Sequence, residues 1–522
     1  MHESHQTLCL YNANIITMNP LFPKASWLIM DRQFITKTGL GSPPFEDLSK
    51  KTVYIDCFGN TVLPGFNDSH THILSSVAHE LAVDCSPSSV KSIGDIKNKL
   101  LSYSNGLTKG DWIRATGYDE FYLEDARHPN RWDLDDAVPD YPVKLVHRSG
   151  HAMVLNSAAM HRVGITGITV DPDGGVIERQ DMTGDPTGLL FDMNGYVNRI
   201  IPELSEEDLT RGLERFNELC LSFGLTSLQD ASINNDLAKM KLLKDFKENG
   251  ILVPSINFMI GMDHLEGFVK SGIKFGDESD GFIIGSAKVV LNFSTGVLHP
   301  NREKLRKFIR YANRNGFQVA IHAVENRSIE EAINAFEFAL NCEDNKHFRN
   351  RIEHCSECTP NLIGRIIKNK ISVSTQPGFL YYNGQRYLSE VDKEYVDHIY
   401  PIRSLMKSGV TLAYGSDSPV INMDPMVGIS AAVNRVSQFG EKLQSEERVS
   451  VLDAVKSYTV DSAYISWQEK IRGSIENGKA GDIILLDRNI LDVESEDIIN
   501  VRVLMTIIAG RVVWCNREKF DI

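Results

Sequence analysis

Eight short apolar runs, most of them separated by helical patterns, constrain this chain more than any other feature. They are Thr61 to Phe66, Thr226 to Ala231, Val253 to Met259, Gly285 to Leu291, Gln318 to His322, Arg351 to Cys355, Ile371 to Gln376 and Thr411 to Gly415. A strand buried on both faces loses the alternation of apolar and polar residues, so parallel strands covered by helices read as such runs. Glu206 to Phe223, Leu237 to Glu248, Glu303 to Asn315 and Ser328 to Asn341 carry apolar residues at three- and four-residue spacing, as amphipathic helices do. Strands alternating with helices in this number predict an α/β chain folded as a (β/α)8 TIM barrel.

The two ends of the chain read differently. Thr7 to Met18, Trp27 to Met30, Gln33 to Thr38 and Thr52 to Asp56 are strand-like, as are Asp482 to Leu486, Val501 to Ile508 and Arg511 to Trp514. They predict a small β-sandwich built from both termini, residues 1–60 and 470–522, around a barrel domain of residues 61–469. The interval from about 75 to 205 is too long for a loop. It holds its own strand patterns at Asp111 to Thr116 and Val143 to His147, and a Gly-rich turn at Asp171-Pro172-Asp173-Gly174-Gly175. It is expected to be a subdomain inserted after the first barrel strand, over the barrel mouth.

Bulk properties narrow the partners. The chain has 522 residues and a net charge of −14, which opposes general affinity for nucleic acid or anionic membrane. No apolar run is long enough to span a bilayer, and Met1 to Leu10 lacks the basic and apolar regions of a secretory signal. Eight scattered cysteines in a chain of this length do not form a disulfide framework. Cys355 and Cys358 make one C-x-x-C without a second ligand pair nearby, so they read as ordinary thiols. A cytoplasmic protein is expected.

Barrel active sites lie at the C-terminal ends of the strands, and the polar residues collect there. His70 and His72 follow the first run, and residues i and i+2 of an extended chain share a side, so both imidazoles can aim at one point. Lys288 lies inside the fourth run, where an ammonium is costly unless paired or neutralised. His322 and His354 end the fifth and sixth runs, and Asp417 ends the eighth. Each has an ordinary reading: a core histidine, a snorkelling lysine, a turn-capping aspartate, or, for His354, an ion pair with the adjacent Glu353. Their coincidence on strands of one barrel argues instead for a metal centre of the kind zinc occupies.

These residues, with their surroundings, resemble the amidohydrolase superfamily, and within it amidohydrolase family 3, with the YtcJ-like proteins and N-substituted formamide deformylases. The resemblance rests on Pro64-Gly65-Phe66-x-Asp68-x-His70-x-His72, Ser149-Gly150-His151-Ala152 with Asn156-Ser157, and Asp185-Pro186-Thr187-Gly188. It continues through Ile321-His322-Ala323, Arg351-Ile352-Glu353-His354, Gly415-Ser416-Asp417-Ser418-Pro419 and the passage from Gly473 to Asp482. It implies a binuclear metal centre, two zinc ions, in which His70 and His72 bind one metal and His322 and His354 the other. Lys288 would be carbamylated (a carboxylated lysine) and bridge the two, and Asp417 would contact the first metal and move the proton. The implied activity is hydrolysis of a carbon–nitrogen bond other than a peptide bond, amide or N-formyl, in a small molecule by a metal-activated hydroxide. A homodimer is implied as well. Asn292-Phe293 and Val324-Glu325-Asn326 stand where family members often carry Asp-Gly and Gly-Asp, which bears on substrate choice. His151, Tyr118, Asp119, Tyr382 and Arg386 are candidate substrate-binding residues. A deaminase or cyclic-amide hydrolase with the same metals, or a non-catalytic barrel serving binding or regulation, are the alternative functions.

Overall fold

Pro64-Gly65 divides the first apolar run between two sheets. Thr61–Pro64 pairs antiparallel with Ile483–Leu486 and parallel with Asn14–Ile16, so it belongs to the terminal β layers. The barrel begins one residue later, with β1 (Phe66–Thr71). This corrects the expectation that Thr61 to Phe66 is the first barrel strand. Pro64 has no N–H to continue a ladder. At Gly65 the backbone passes so close to Thr226 that a Cβ would lie 2.2 Å from its Oγ1. The chain therefore changes sheet at this dipeptide. These relations come from a computed structural model that describes residues 7–47, 51–172, 174–293, 297–342, 348–517 and 519–520. Met1 to Gln6 of the N-terminal segment and Asp173 of the Gly-rich turn lie outside the described residues.

The remaining barrel strands are β2 (Leu225–Asp230), β3 (Ser255–Gly261), β4 (Phe282–Val290), β5 (Val319–Ala323), β6 (Arg351–His354), β7 (Ser372–Thr375) and β8 (Leu412–Tyr414). Consecutive strands pair in parallel from β1 to β8. The last seam, between β8 and β1, is joined at the C-terminal end. The Asp417 N–H donates to the His70 carbonyl at 2.7 Å, and the His72 N–H donates to the Ser418 carbonyl at 2.9 Å. Buried Asp68 on β1 accepts from both the N–H and the hydroxyl of Ser416.

Helices cover the barrel where the periodicity predicts them: Glu206–Ser222, Leu237–Glu248, Arg302–Arg314 and Asn326–Cys342. Leu213, Phe216 and Cys220 of the first pack on Leu225 and Leu228 of β2 in one large core. Among the described residues no helix is long and apolar enough to cross a membrane.

Two terminal sheets share a separate core that includes Leu10, Ile15, Leu28, Val62, Leu485 and Ile507. One sheet has the order Phe34–Gly39, Trp27–Asp31, Thr7–Tyr11, Val53–Asp56. The other contains Thr61–Pro64 at its centre, beside Ile483–Leu486 from the other end of the chain. Apolar side chains from the two ends can be buried only against each other, which draws the termini together. The interval after β1 forms a third unit, a six-stranded mixed sheet from Val83–Asp84 to Pro186–Phe191 with its own core. It is fastened to the helix after β7, Gly378–Glu390. Arg386 bonds Asp119 at 3.3 Å and Glu120 at 3.1 Å, the Tyr122 hydroxyl donates to the Tyr382 carbonyl at 3.0 Å, and Arg148 donates to Asn383.

Candidate metal centre

The strand ends bring His70, His72, Lys288, His322, His354 and Asp417 into one cluster. His70 lies within β1 and is fully buried, and His72 follows the strand at the head of the helix Ile73–Glu80. Asp417 Oδ1 stands 2.9 Å from His72 Nε2 and 3.4 Å from His70 Nε2. Ligand atoms of His70, His354 and Asp417 all lie within 4.8 Å of one another. Lys288 Nζ is 3.4 Å from His70 Nε2. The ring of His322 lies 4.4 Å from that of His354, centroid to centroid. His354 and Asp417 hold left-handed backbones, φ 69° and 58°, a conformation costly for a residue as bulky as histidine. Both residues turn away from the strand path where β6 and β8 end.

Hydrogen bonds fix which nitrogen of each imidazole is bare. Arg351 donates to both oxygens of Glu353. Burial opposes ionisation of Glu353, but the charge of Arg351 and the hydrogen bonds from Arg351 and His70 outweigh it and hold the carboxyl well below its usual range. Glu353 is therefore an acceptor, and His70 Nδ1, bonded to it, carries the proton. The Ser232 hydroxyl donates to Asp230 at 2.6 Å, so it accepts from His72 Nδ1, 3.2 Å away. His354 Nδ1 donates to Gln376 Oε1 at 2.7 Å, and its buried Nε2 has no partner. Three imidazoles thus turn Nε2 lone pairs toward the carboxylate of Asp417.

The electrostatics agree. Burial, with the nearby Lys288, pushes His70 down to about 3. Burial likewise lowers His354 and, more strongly, His322. These rings are neutral ligands at neutral pH. Burial also lowers Lys288 to about 8, despite Glu353 and Asp417 nearby. Asp417 is pushed up by burial, but its close contacts with His72, His70 and His354 prevail, and it stays a carboxylate. Bare nitrogens facing a carboxylate in a water-poor interior repel unless a cation lies between them. Neutral imidazoles with one carboxylate are a donor set for a divalent transition metal, so these residues fit such an ion.

The other candidates are spread over the insertion and the helix it grips. His151 Nδ1 is 2.7 Å from Asp192 Oδ1. That bond, opposed by partial burial, raises its pKa, and its charge is felt by Asp417 and His322. Its ring is half exposed. Tyr382 lines a cavity of about 310 Å³ between the helix Ile73–Glu80, the insertion and the loop after Asp417, which adjoins the centre at Ser418. Asp119 and Arg386 belong to the ion-pair clamp described above. Tyr118, expected on the pocket wall, lies in the core of the insertion: its ring packs on His147 and its hydroxyl meets His128 Nδ1 at 3.0 Å. Asp119, Glu120 and His147 form a second group of possible ligand atoms, but Arg148 and Arg386 already neutralise it.

Gln376, Ser232 and Asp230 were not singled out in the sequence, and Glu353 was read only as a possible ion-pair partner of His354. Glu353 is no partner of adjacent His354; it serves His70. Arg351 and Glu353 stand at i and i+2 on one strand, which places both on the same side, and that spacing was the available signal.

Comparison with known proteins follows the same lines. A profile of the amidohydrolase family matches residues 53–514. The chain is 29% identical to YtcJ of Bacillus subtilis over 92% of each chain. It is 25% identical to an N-substituted formamide deformylase of Arthrobacter pascens, over 96% of this chain and 97% of that one. The fold superposes on a metal-dependent hydrolase from Pyrococcus horikoshii with a TM-score of 0.76 at 25% identity, covering 94% of this chain and 99% of that one.

Proposed function

This chain belongs to the amidohydrolase family, and from that premise we propose that it hydrolyses an amide or N-formyl carbon–nitrogen bond, other than a peptide bond, in a small molecule. One observation carries the reading. His70, His72 and His354, oriented by three different partners, present bare nitrogens to a single carboxylate, that of Asp417. The choice of an N-formyl or N-acyl amine draws support from the similarity to the formamide deformylase along nearly the whole chain.

In this reading His70, His72 and Asp417 would hold one zinc ion, and His322 and His354 would hold a second. Lys288 would add a carboxylate to the donor set, as the carbamate formed when its free amine adds carbon dioxide and releases a proton. When bound, such ions lower the pKa of a coordinated water and polarise a carbonyl. Asp417 takes the proton from the attacking water and delivers it to the departing nitrogen. His151, steadied by Asp192, offers an N–H to the substrate from the insertion. The described thiols Cys9, Cys57, Cys85, Cys220, Cys355, Cys358 and Cys515 are free, which suits the reducing cytoplasm we propose for the protein.

The test is a substrate panel with metal analysis. Purified protein is expected to hold zinc and to release acid or formate from N-acyl or N-formyl amines. Chelation should abolish this and added Zn2+ restore it. Ring opening of hydantoins or ammonia release from aminated heterocycles would redirect the assignment to a cyclic-amide hydrolase or a deaminase. Protein without divalent metal, whose Asp417→Asn variant behaves as wild type in every assay, would remove the enzyme reading altogether.

A further inference from the structure

We infer, building on the hydrolase reading above, that Glu353 and Gln376 make the two halves of the centre unequal. The ion at His70 and His72 binds more tightly than the ion at His322 and His354 and is the last to leave. The inference comes from what stands behind each ligand. Both β1 histidines lean on carboxylates. His70 donates directly to Glu353, and His72 reaches Asp230 through the Ser232 hydroxyl. His354 leans on the neutral side-chain amide of Gln376, at 2.7 Å.

A carboxylate behind an imidazole makes its far nitrogen a stronger donor, and an amide does so less. The difference is large here because it is poorly screened: His70, Glu353 and Gln376 are each fully buried. Arg351 tempers the charge of Glu353, but it also fixes the carboxylate's position, since it bonds both oxygens and is itself anchored by Gln229 at 2.6 Å and the Ser69 carbonyl at 2.7 Å. Glu353 and Gln376 are thus positioning residues that act through the histidines. The weaker donation from His354 leaves its ion with more residual charge.

The experiment is stepwise removal of zinc from the full-length protein. The protein is dialysed against a graded series of chelator concentrations, and retained zinc is measured by elemental analysis. Zinc-edge anomalous density from crystals at half stoichiometry identifies the surviving ion. Wild type is expected to lose zinc in two separated steps, with the remaining ion at His70 and His72. Glu353→Gln should weaken the tighter step by about 10- to 100-fold and leave the other in place. Gln376→Glu should tighten the weaker step and narrow the gap. Release in a single step, a surviving ion at His322 and His354, or a tight step unmoved in Glu353→Gln would overturn the inference. Should Glu353→Gln fail to fold with Arg351 left uncompensated, the wild-type profile and Gln376→Glu decide it. Wild-type protein that takes up no zinc at any concentration would instead remove the hydrolase reading beneath it, a result distinct from one-step release.

Discussion

Substituting Gly415 by alanine should open the barrel at the seam that carries the metal centre. An added Cβ would lie 2.5 Å from the His70 nitrogen, 2.9 Å from Asp68 Oδ1 and 2.9 Å from His70 Cβ. Those atoms are backbone or belong to short, buried side chains, so none can swing aside. Carbon contacts settle at about 3.5–4.0 Å, so β8 and β1 must part by roughly 1 Å. The Asp417 N–H bond to the His70 carbonyl, 2.7 Å, and the Ser416 N–H bond to Asp68, 3.0 Å, would both stretch beyond the ordinary limit of about 3.2 Å. Overpacking costs about 1–3 kcal/mol, and each buried group left unsatisfied costs about 1–3 kcal/mol more. With both bonds lost, these amount to about 3–9 kcal/mol. Because Asp417 moves with β8, retention of any metal bound at the cluster should fall too. Urea unfolding followed by tryptophan fluorescence measures the first effect, and elemental analysis of the dialysed protein measures the second. Ser416→Ala serves as the comparison, since it removes the hydroxyl bond to Asp68 without adding volume and should cost about 1–2 kcal/mol. A Gly415→Ala protein within about 0.5 kcal/mol of wild type, the range of an inconsequential substitution, and with the same metal content as wild type would refute the account of the seam.

Asp417→Asn removes the group assigned to proton transfer and should lower kcat by about 10²- to 10⁴-fold with the far-ultraviolet circular dichroism unchanged; a variant retaining full kcat would exclude that role. Arg386→Gln breaks the ion pairs to Asp119 and Glu120 and should weaken the clamp by about 1.5–3 kcal/mol, seen as faster limited proteolysis of the insertion with the barrel left intact. The clamp should also depend on pH. Burial lowers the pKa of His147, but hydrogen bonds and charge from Asp119 and Glu120 outweigh it, and the folded value lies above 6.5. A raised value means that this stabilisation is complete below the unfolded pKa and is lost as pH rises through the folded one. Amide exchange across Val143–His147, corrected for intrinsic rate, should therefore quicken as pH rises above the unfolded value of about 6.5, and His147→Gln should abolish the change.

The sequence by itself determined the α/β layout and pointed to the residues that cluster at the strand ends, for a local reason. A parallel strand buried on both faces tends to a near-continuous apolar run, so its position shows in the composition. A polar side chain at a strand end interrupts that run with a histidine, lysine or aspartate. His70, His72, Lys288, His322, His354 and Asp417 stand out for this, whatever lies around them. Tertiary structure alone decided everything that depends on proximity between distant segments. Thr61–Pro64 and Phe66–Thr71 are equally buried, and only pairing with Ile483–Leu486 on one side and Leu225–Asp230 on the other assigns them to different sheets. Glu353 finds His70 across 283 residues, and Arg386 finds Asp119 across 267. Tyr118 reads as a wall residue until the insertion closes over it. A hydrogen bond needs its partner at about 3 Å, and spacing along the chain carries no record of that distance. The clustered side chains were therefore legible in the sequence, whereas the partners that set their tautomers, and with them the case for a metal, became visible only once the barrel had closed.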